Sequence, residues 1–254
     1  MEEKQQSRKK GSKLLTVIIV LCIIVILVSG YFIVSYLLES KAASDEYNNI
    51  IIEVKHIDDD KSKTSIDFDK LLAINSDIVG WIEIPGTVID YPIVKGTDNE
   101  YYQYYTVEKE KLSAASIFMD YTNAGDFSDA NTVVYGHNMK NGSMFHSIES
   151  YFEDGFYSAH SYMNVYSATG AKYKGEIFAV FSIAADYDYR NSYFENDDAF
   201  EAFITDMKSR SIINVGMEIL PGDRIITLST CSHFGHNSSN QRLVVMAKLV
   251  EENT

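Results

Sequence analysis

From Leu14 to Leu38 the chain runs for 25 residues without a charged side chain, and no other feature limits its architecture as strongly. As a helix this segment reaches about 37 Å at ~1.5 Å per residue, enough to cross a hydrocarbon core of ~30 Å. Lys4, Arg8, Lys9, Lys10 and Lys13 precede it against Glu2 and Glu3, so the basic side is expected to stay cytoplasmic and the remainder to be exported. A cleaved secretory signal is the competing reading. Its apolar region would be ~7–15 residues long with a small-x-small cleavage site, whereas here Tyr31, Phe32, Tyr36 and Leu37 prolong the run. The expected organisation is a basic cytoplasmic tail at 1–13, an uncleaved transmembrane anchor at 14–38, an extracellular tether with a helix at 39–66, and an exported domain at 67–254.

Charge narrows the choice of partners. The chain carries 22 Lys+Arg against 36 Asp+Glu, a formal −14. The tail and anchor hold five basic and two acidic residues, so the 216 residues beyond them carry −17. Binding a polyanion draws on lysines and arginines that release counterions, and no basic stripe lies outside the first thirteen residues, which argues against a nucleic-acid partner. A strongly acidic surface steers cationic or amine-bearing partners at long range, although most of these carboxylates are expected simply to keep the domain soluble.

Beyond the anchor, residues 39–66 are polar, but Ile50, Ile51, Ile52, Val54 and Ile57 recur at partly helical spacing. They predict a helix on an exposed tether that ends at the acidic run Asp58-Asp59-Asp60. From Asp67 the texture turns to short β-rich runs: 79–84 and 88–94 around a Pro85-Gly86 turn, then 116–119, 132–136, 162–166, 171–183, 224–230 and 242–249. Eight strands with few helices argue a barrel or a sandwich. Phe200, Phe203, Ile204 and Met207 predict an amphipathic helix over 197–209, started by Asp198 with Glu201 as capping-box partner, and a shorter helix is expected at 143–151. The tyrosine run at 101–105 reads as core and surface rather than a ligand cage.

With Cys22 inside the anchor, the exported part has a single cysteine, Cys231, and forms no internal disulfide. Cys231 ends the apolar run 225–230 and precedes a polar stretch, the place for a thiol held by a rigid scaffold yet open to substrate. A buried structural cysteine is the alternative. A nucleophilic thiol needs a base or cation, usually histidine. His56 sits in the tether, and His146 and His160 lack supporting chemistry. His137 ends the run Val133-Val134-Tyr135-Gly136, so it too stands at a strand mouth. His233 and His236 form Cys-x-His-x-x-His with Cys231, a thiolate–imidazole set that suits zinc but offers no fourth ligand.

Thr227-Leu228-Ser229-Thr230-Cys231, followed eleven residues later by Arg242, with Tyr135-Gly136-His137 upstream, resembles the active-site signature of sortases, membrane-anchored cysteine transpeptidases of Gram-positive bacteria. The stretch from Gly80 to Pro92 and Asp98-Asn99-Glu100-Tyr101-Tyr102 resemble class B in particular. The likeness covers roughly residues 67–250. It implies a mainly β fold, a closed eight-stranded barrel with N-terminal helices and a helix inserted between the sixth and seventh strands. The lid motif and C-terminal span of class C are absent from this sequence.

The resemblance implies that Cys231 as thiolate attacks a threonine carbonyl in the sorting motif of a secreted protein. A thioacyl enzyme forms, and an amine of the cell-wall peptidoglycan resolves it. His137 would be the general acid and base. Arg242 would hold substrate carbonyls and the oxyanion. Ser229 and Thr230 beside the cysteine and Tyr135 beside the histidine are candidates for substrate binding. No cofactor and no metal are expected. A cysteine hydrolase without transpeptidation and a non-catalytic exported binding module remain open.

Overall fold

A computed structural model describes residues 2–57, 64–231 and 240–252, with side chains from Leu15 onward except at Cys231. The chain divides into two units, Met1–Ala42 and Ala43–Thr254. Helix α1 (Glu2–Val54) supplies the first unit and enters the second. Between Leu15 and Val54 it contains the one stretch among the described residues that is long and apolar enough to cross a membrane, with a mean hydropathy of 3.2.

The last turns of α1 are not the exposed tether that their polar composition suggests. Ala43, Tyr47, Ile50 and Val54 share one helical face and are buried in the core of the second unit, whereas Ile52 on the opposite face is 78% exposed. The Tyr47 hydroxyl donates to the Ala115 carbonyl at 2.6 Å. The helix gives way to β1 (Lys55–Ile57), which pairs with β2 (Thr64–Ile66) before α2 (Phe68–Ile74), where the Asp67 side chain caps the N-terminus. The acidic run expected to end the helix lies outside the described residues. At the start of β1 the Lys55 ammonium sits 2.9 Å from Glu83 and 2.7 Å from Asp90, and Asp90 also accepts from the Trp81 indole at 2.7 Å. Lys55 is 7% exposed, so this pairing replaces the water that each charge has lost.

Eight strands close the barrel. They are β3 (Ile78–Glu83), β4 (Asp90–Lys95), β5 (Ile117–Met119), β6 (Asn131–Tyr135), β7 (Tyr162–Ser167), β8 (Lys172–Ala184), β9 (Arg224–Cys231) and β10 (Gln241–Glu251), in the order β10-β8-β7-β3-β4-β5-β6-β9. The β4–β5 and β6–β9 seams are parallel and the rest antiparallel. The hairpin of β3 and β4 turns through Pro85-Gly86 as the sequence predicts. Gly86 has φ +82°, and a Cβ there would lie 2.7 Å from the His160 ring, whose Nδ1 donates to the Pro85 carbonyl at 2.8 Å.

Alternation along β10 sorts the two cores. Leu243, Val245, Ala247 and Leu249 fill the barrel, while Val244 and Met246 face outward beneath α4 (Asp197–Arg210). Helix α4 lies between β8 and β9, the sixth and seventh barrel strands. Its cap is Asn196, whose side chain accepts from Ala199 N, two residues ahead of the expected Asp198; Asp197 and Asp198 instead occupy the first turn, where they favour the helix dipole. The shorter helix is a 3₁₀ segment at Phe145–Phe152, followed by α3 (Phe156–Ala159).

Candidate active site

Strand register brings the three principal candidates to one end of the barrel. In the antiparallel β9–β10 pair, Arg242 is the direct partner of Cys231. In the parallel β6–β9 pair, Tyr135 stands opposite Ser229, and Gly136 N continues the ladder by donating to the Ser229 carbonyl at 3.2 Å. His137 stands two residues beyond the end of β6 and lines the same groove as Ser229, Thr230 and Arg242. The ends of β6, β9 and β10 thus bring His137, Cys231 and Arg242 to one region of the barrel.

Gly136 makes the close approach of β6 feasible. A Cβ at this position would lie 2.4 Å from Ile117 Cδ1 and 2.7 Å from the Phe145 ring, so any larger residue would push the strand end away. His137 is half-buried, and its Nε2 lies 2.9 Å from the Gln103 carbonyl. A carbonyl can only accept, so Nε2 carries the proton in this contact and Nδ1 is the nitrogen left to take up a second one. Phe145 N donates to the His137 carbonyl at 2.9 Å and holds the main chain in place.

Tyr135, Ser229, Thr230 and Arg242 join His137 along one groove of about 190 Å3. Arg242 is half-buried, and its Nη1 donates to the Gln241 carbonyl at 3.1 Å. Ser229 is buried, its hydroxyl 2.8 Å from the Tyr189 hydroxyl. Thr230 is also buried, and its hydroxyl finds no hydrogen-bond partner among the described residues. The Tyr135 hydroxyl donates to Asp120 at 2.7 Å. Burial first, and the adjoining Asp120 charge second, push the Tyr135 phenol well above its ordinary value, so it remains a neutral donor and acceptor.

Several groove residues are not among the sequence candidates. Asn99 and Gln103 come from the class B-like motif and the tyrosine run, and Tyr189 and Arg190 from the segment between β8 and α4. Asn99 lies inside a motif already singled out, which was a usable signal; nothing in the spacing around Tyr189 marks it. His233 and His236, and with them the zinc alternative, lie outside the described residues. His160 is occupied with the Pro85 turn. His146 is 2.9 Å from Asn138 in the Phe145–Phe152 segment and does not line the groove.

A thiol, an imidazole and a guanidinium at one mouth of a closed barrel are the parts of a cysteine acyl-transfer site. Residues 82–250 match the family model described as the sortase domain, and the chain belongs to the sortase family of cysteine transpeptidases, which anchor proteins to the cell wall. Its relatives place it in class B. Sortase B of Listeria monocytogenes is 40% identical over 180 residues, 71% of this chain and 72% of the relative, and that of Staphylococcus aureus is 35% identical over 184 residues, 72% and 75% respectively. Among solved structures, a B. anthracis sortase B in complex with AAEK1 superposes with a TM-score of 0.73 at 32% identity, covering 85% of this chain and all of the other. A Staphylococcus aureus sortase B–substrate complex gives 0.67 at 34% identity, covering 74% and 86%.

Proposed function

We propose that the protein is a membrane-anchored transpeptidase that cleaves a sorting motif of secreted proteins after threonine and joins the new carboxyl end to an amine of the peptidoglycan. The observation that carries this reading is the register that makes Arg242 the cross-strand partner of Cys231, with His137 lining the same groove as Arg242. Thiolate attack by Cys231 on the threonine carbonyl gives a tetrahedral oxyanion. Arg242 stabilises that charge with a planar pair of donors. His137 protonates the departing amine, and collapse leaves a thioacyl enzyme. The imidazole then takes a proton from the incoming amine, which expels the thiolate. Water competes at the thioester, so hydrolysis accompanies transfer. The apolar part of α1 serves as the anchor, with the basic tail in the cytoplasm and the barrel outside.

The acidic barrel suits an amine acceptor, and a similar sortase B is solved complexed with triglycine. The test is a mass-spectrometric screen of the purified protein against threonine-containing sorting peptides, with and without triglycine. A ligated product that appears only with triglycine supports transpeptidation. Cleavage whose product never includes the added amine would leave a hydrolase, and no thioacyl adduct on Cys231 with any peptide would sink the enzyme reading.

A further inference from the structure

Asp120 follows β5 and is buried, yet it stays ionised. Burial alone would push its carboxyl up, but hydrogen bonds from Thr122, Tyr135 and Asn99 outweigh that and hold it below its ordinary value. All four of its partner groups donate. Thr122 N and the Thr122 hydroxyl donate to Oδ1 at 2.9 and 2.7 Å; Asn99 Nδ2 and the Tyr135 hydroxyl donate to Oδ2 at 2.9 and 2.7 Å. Only an acceptor at both oxygens satisfies that set, which a carboxylate provides and a carboxamide does not.

Two of those donors line the groove. Because the Tyr135 proton is committed to Asp120, its oxygen presents lone pairs alone to a ligand. Asn99 is held at both ends, since its Oδ1 accepts from Tyr121 N at 3.0 Å, and its remaining amide hydrogen is the one free to donate. The same residue reaches the imidazole: the Asn99 carbonyl accepts from the Gln103 side chain, and the Gln103 carbonyl is the partner of His137 Nε2.

We propose that Asp120 is a positioning residue for the reaction: it fixes the donor and acceptor polarity of the groove wall through Tyr135 and Asn99, so that an extended peptide meets an acceptor at Tyr135 and a donor at Asn99. This rests on the transpeptidase reading above. Asp120→Asn keeps the shape but turns its NH2 toward two of the four donors, either the Thr122 pair or Asn99 and Tyr135, so the pairing that ties the groove wall to the Thr122 turn can no longer be kept whole.

The test is made on the full chain in detergent, using the best peptide of the screen. Asp120→Asn should raise KM about tenfold and leave turnover within about threefold. In a Tyr135→Phe background the same substitution should add less than about twofold to KM, because its lever is gone. Unchanged KM in the folded variant, or additive losses, would overturn the proposal. If no peptide is turned over by the wild type, the transpeptidase reading fails on its own account. Carbon-13 labelling of the tyrosine ring still decides the positioning role: the signal that disappears in Tyr135→Phe must shift in Asp120→Asn, and a signal that stays put would refute it.

Discussion

At the scale of single residues, the proposed mechanism separates groups that react from groups that hold them. Cys231→Ala should abolish cleavage and transfer with the fold intact, since a methyl group cannot replace sulfur as nucleophile. His137→Ala should lose several orders of magnitude in turnover while alanine at His233 or His236 costs far less; steady-state rates in the reverse order would move the general acid into the segment after Cys231 and call for a zinc analysis. Arg242→Lys keeps a positive charge but loses the planar two-point donor, so the loss should fall mainly on turnover rather than on KM. Near-normal turnover in the lysine variant would mean that charge alone suffices. Asp120 adds a pH signature. Its carboxyl titrates lower when folded than its ordinary 3.8, so its contribution to stability is complete above that value and is lost as pH falls below it through the folded value. The stability gap between wild type and Asp120→Asn should therefore be flat from neutral pH down to about pH 5 and close only under strong acid, as followed by chemical denaturation at each pH.

At the scale of elements, the barrel strands and α4 were readable because alternation and 3.6-residue spacing report burial directly. The end of α1 reads as tether because its apolar residues are diluted among polar ones; Ala43, Tyr47, Ile50 and Val54 become one stripe only once the helix is extended across the junction. Ile50→Ala should accordingly cost about 2–4 kcal/mol in urea unfolding of the second unit, where an exposed tether residue would cost almost nothing. Cys231, His137 and Arg242 were visible as candidates because each closes or opens an apolar run. Asp120 and Tyr189 were not, since their contacts are hydrogen bonds between segments far apart in sequence, which no local pattern records, whereas Asn99 lay inside a motif already noted. Gly136 joins the two kinds of information. Gly136→Ala should destabilise the fold by about 1–3 kcal/mol through its clash with Ile117 and Phe145, and should also depress turnover by displacing His137.

At the scale of the whole molecule, the proposed function assigns anchoring to the apolar helix and chemistry to the acidic barrel. Deleting residues 1–38 should move the protein from the membrane to the soluble fraction on cell fractionation while the released barrel still processes sorting peptides; soluble protein that folds but has lost turnover would show that the anchor contributes to the site itself. The parallel seam between β6 and β9 has a consequence in time. Tyr135 pairs with Ser229, and ribosomes add residues at ~5–20 per second, so the edge of β6 waits roughly 5–20 s for its partner to be made. Throughout that interval the imidazole exists without its thiol, and an open strand edge is available to neighbouring chains. The proposed nucleophile is therefore made long after the imidazole, with Arg242 and β10 later still, so the site is incomplete until the barrel can close.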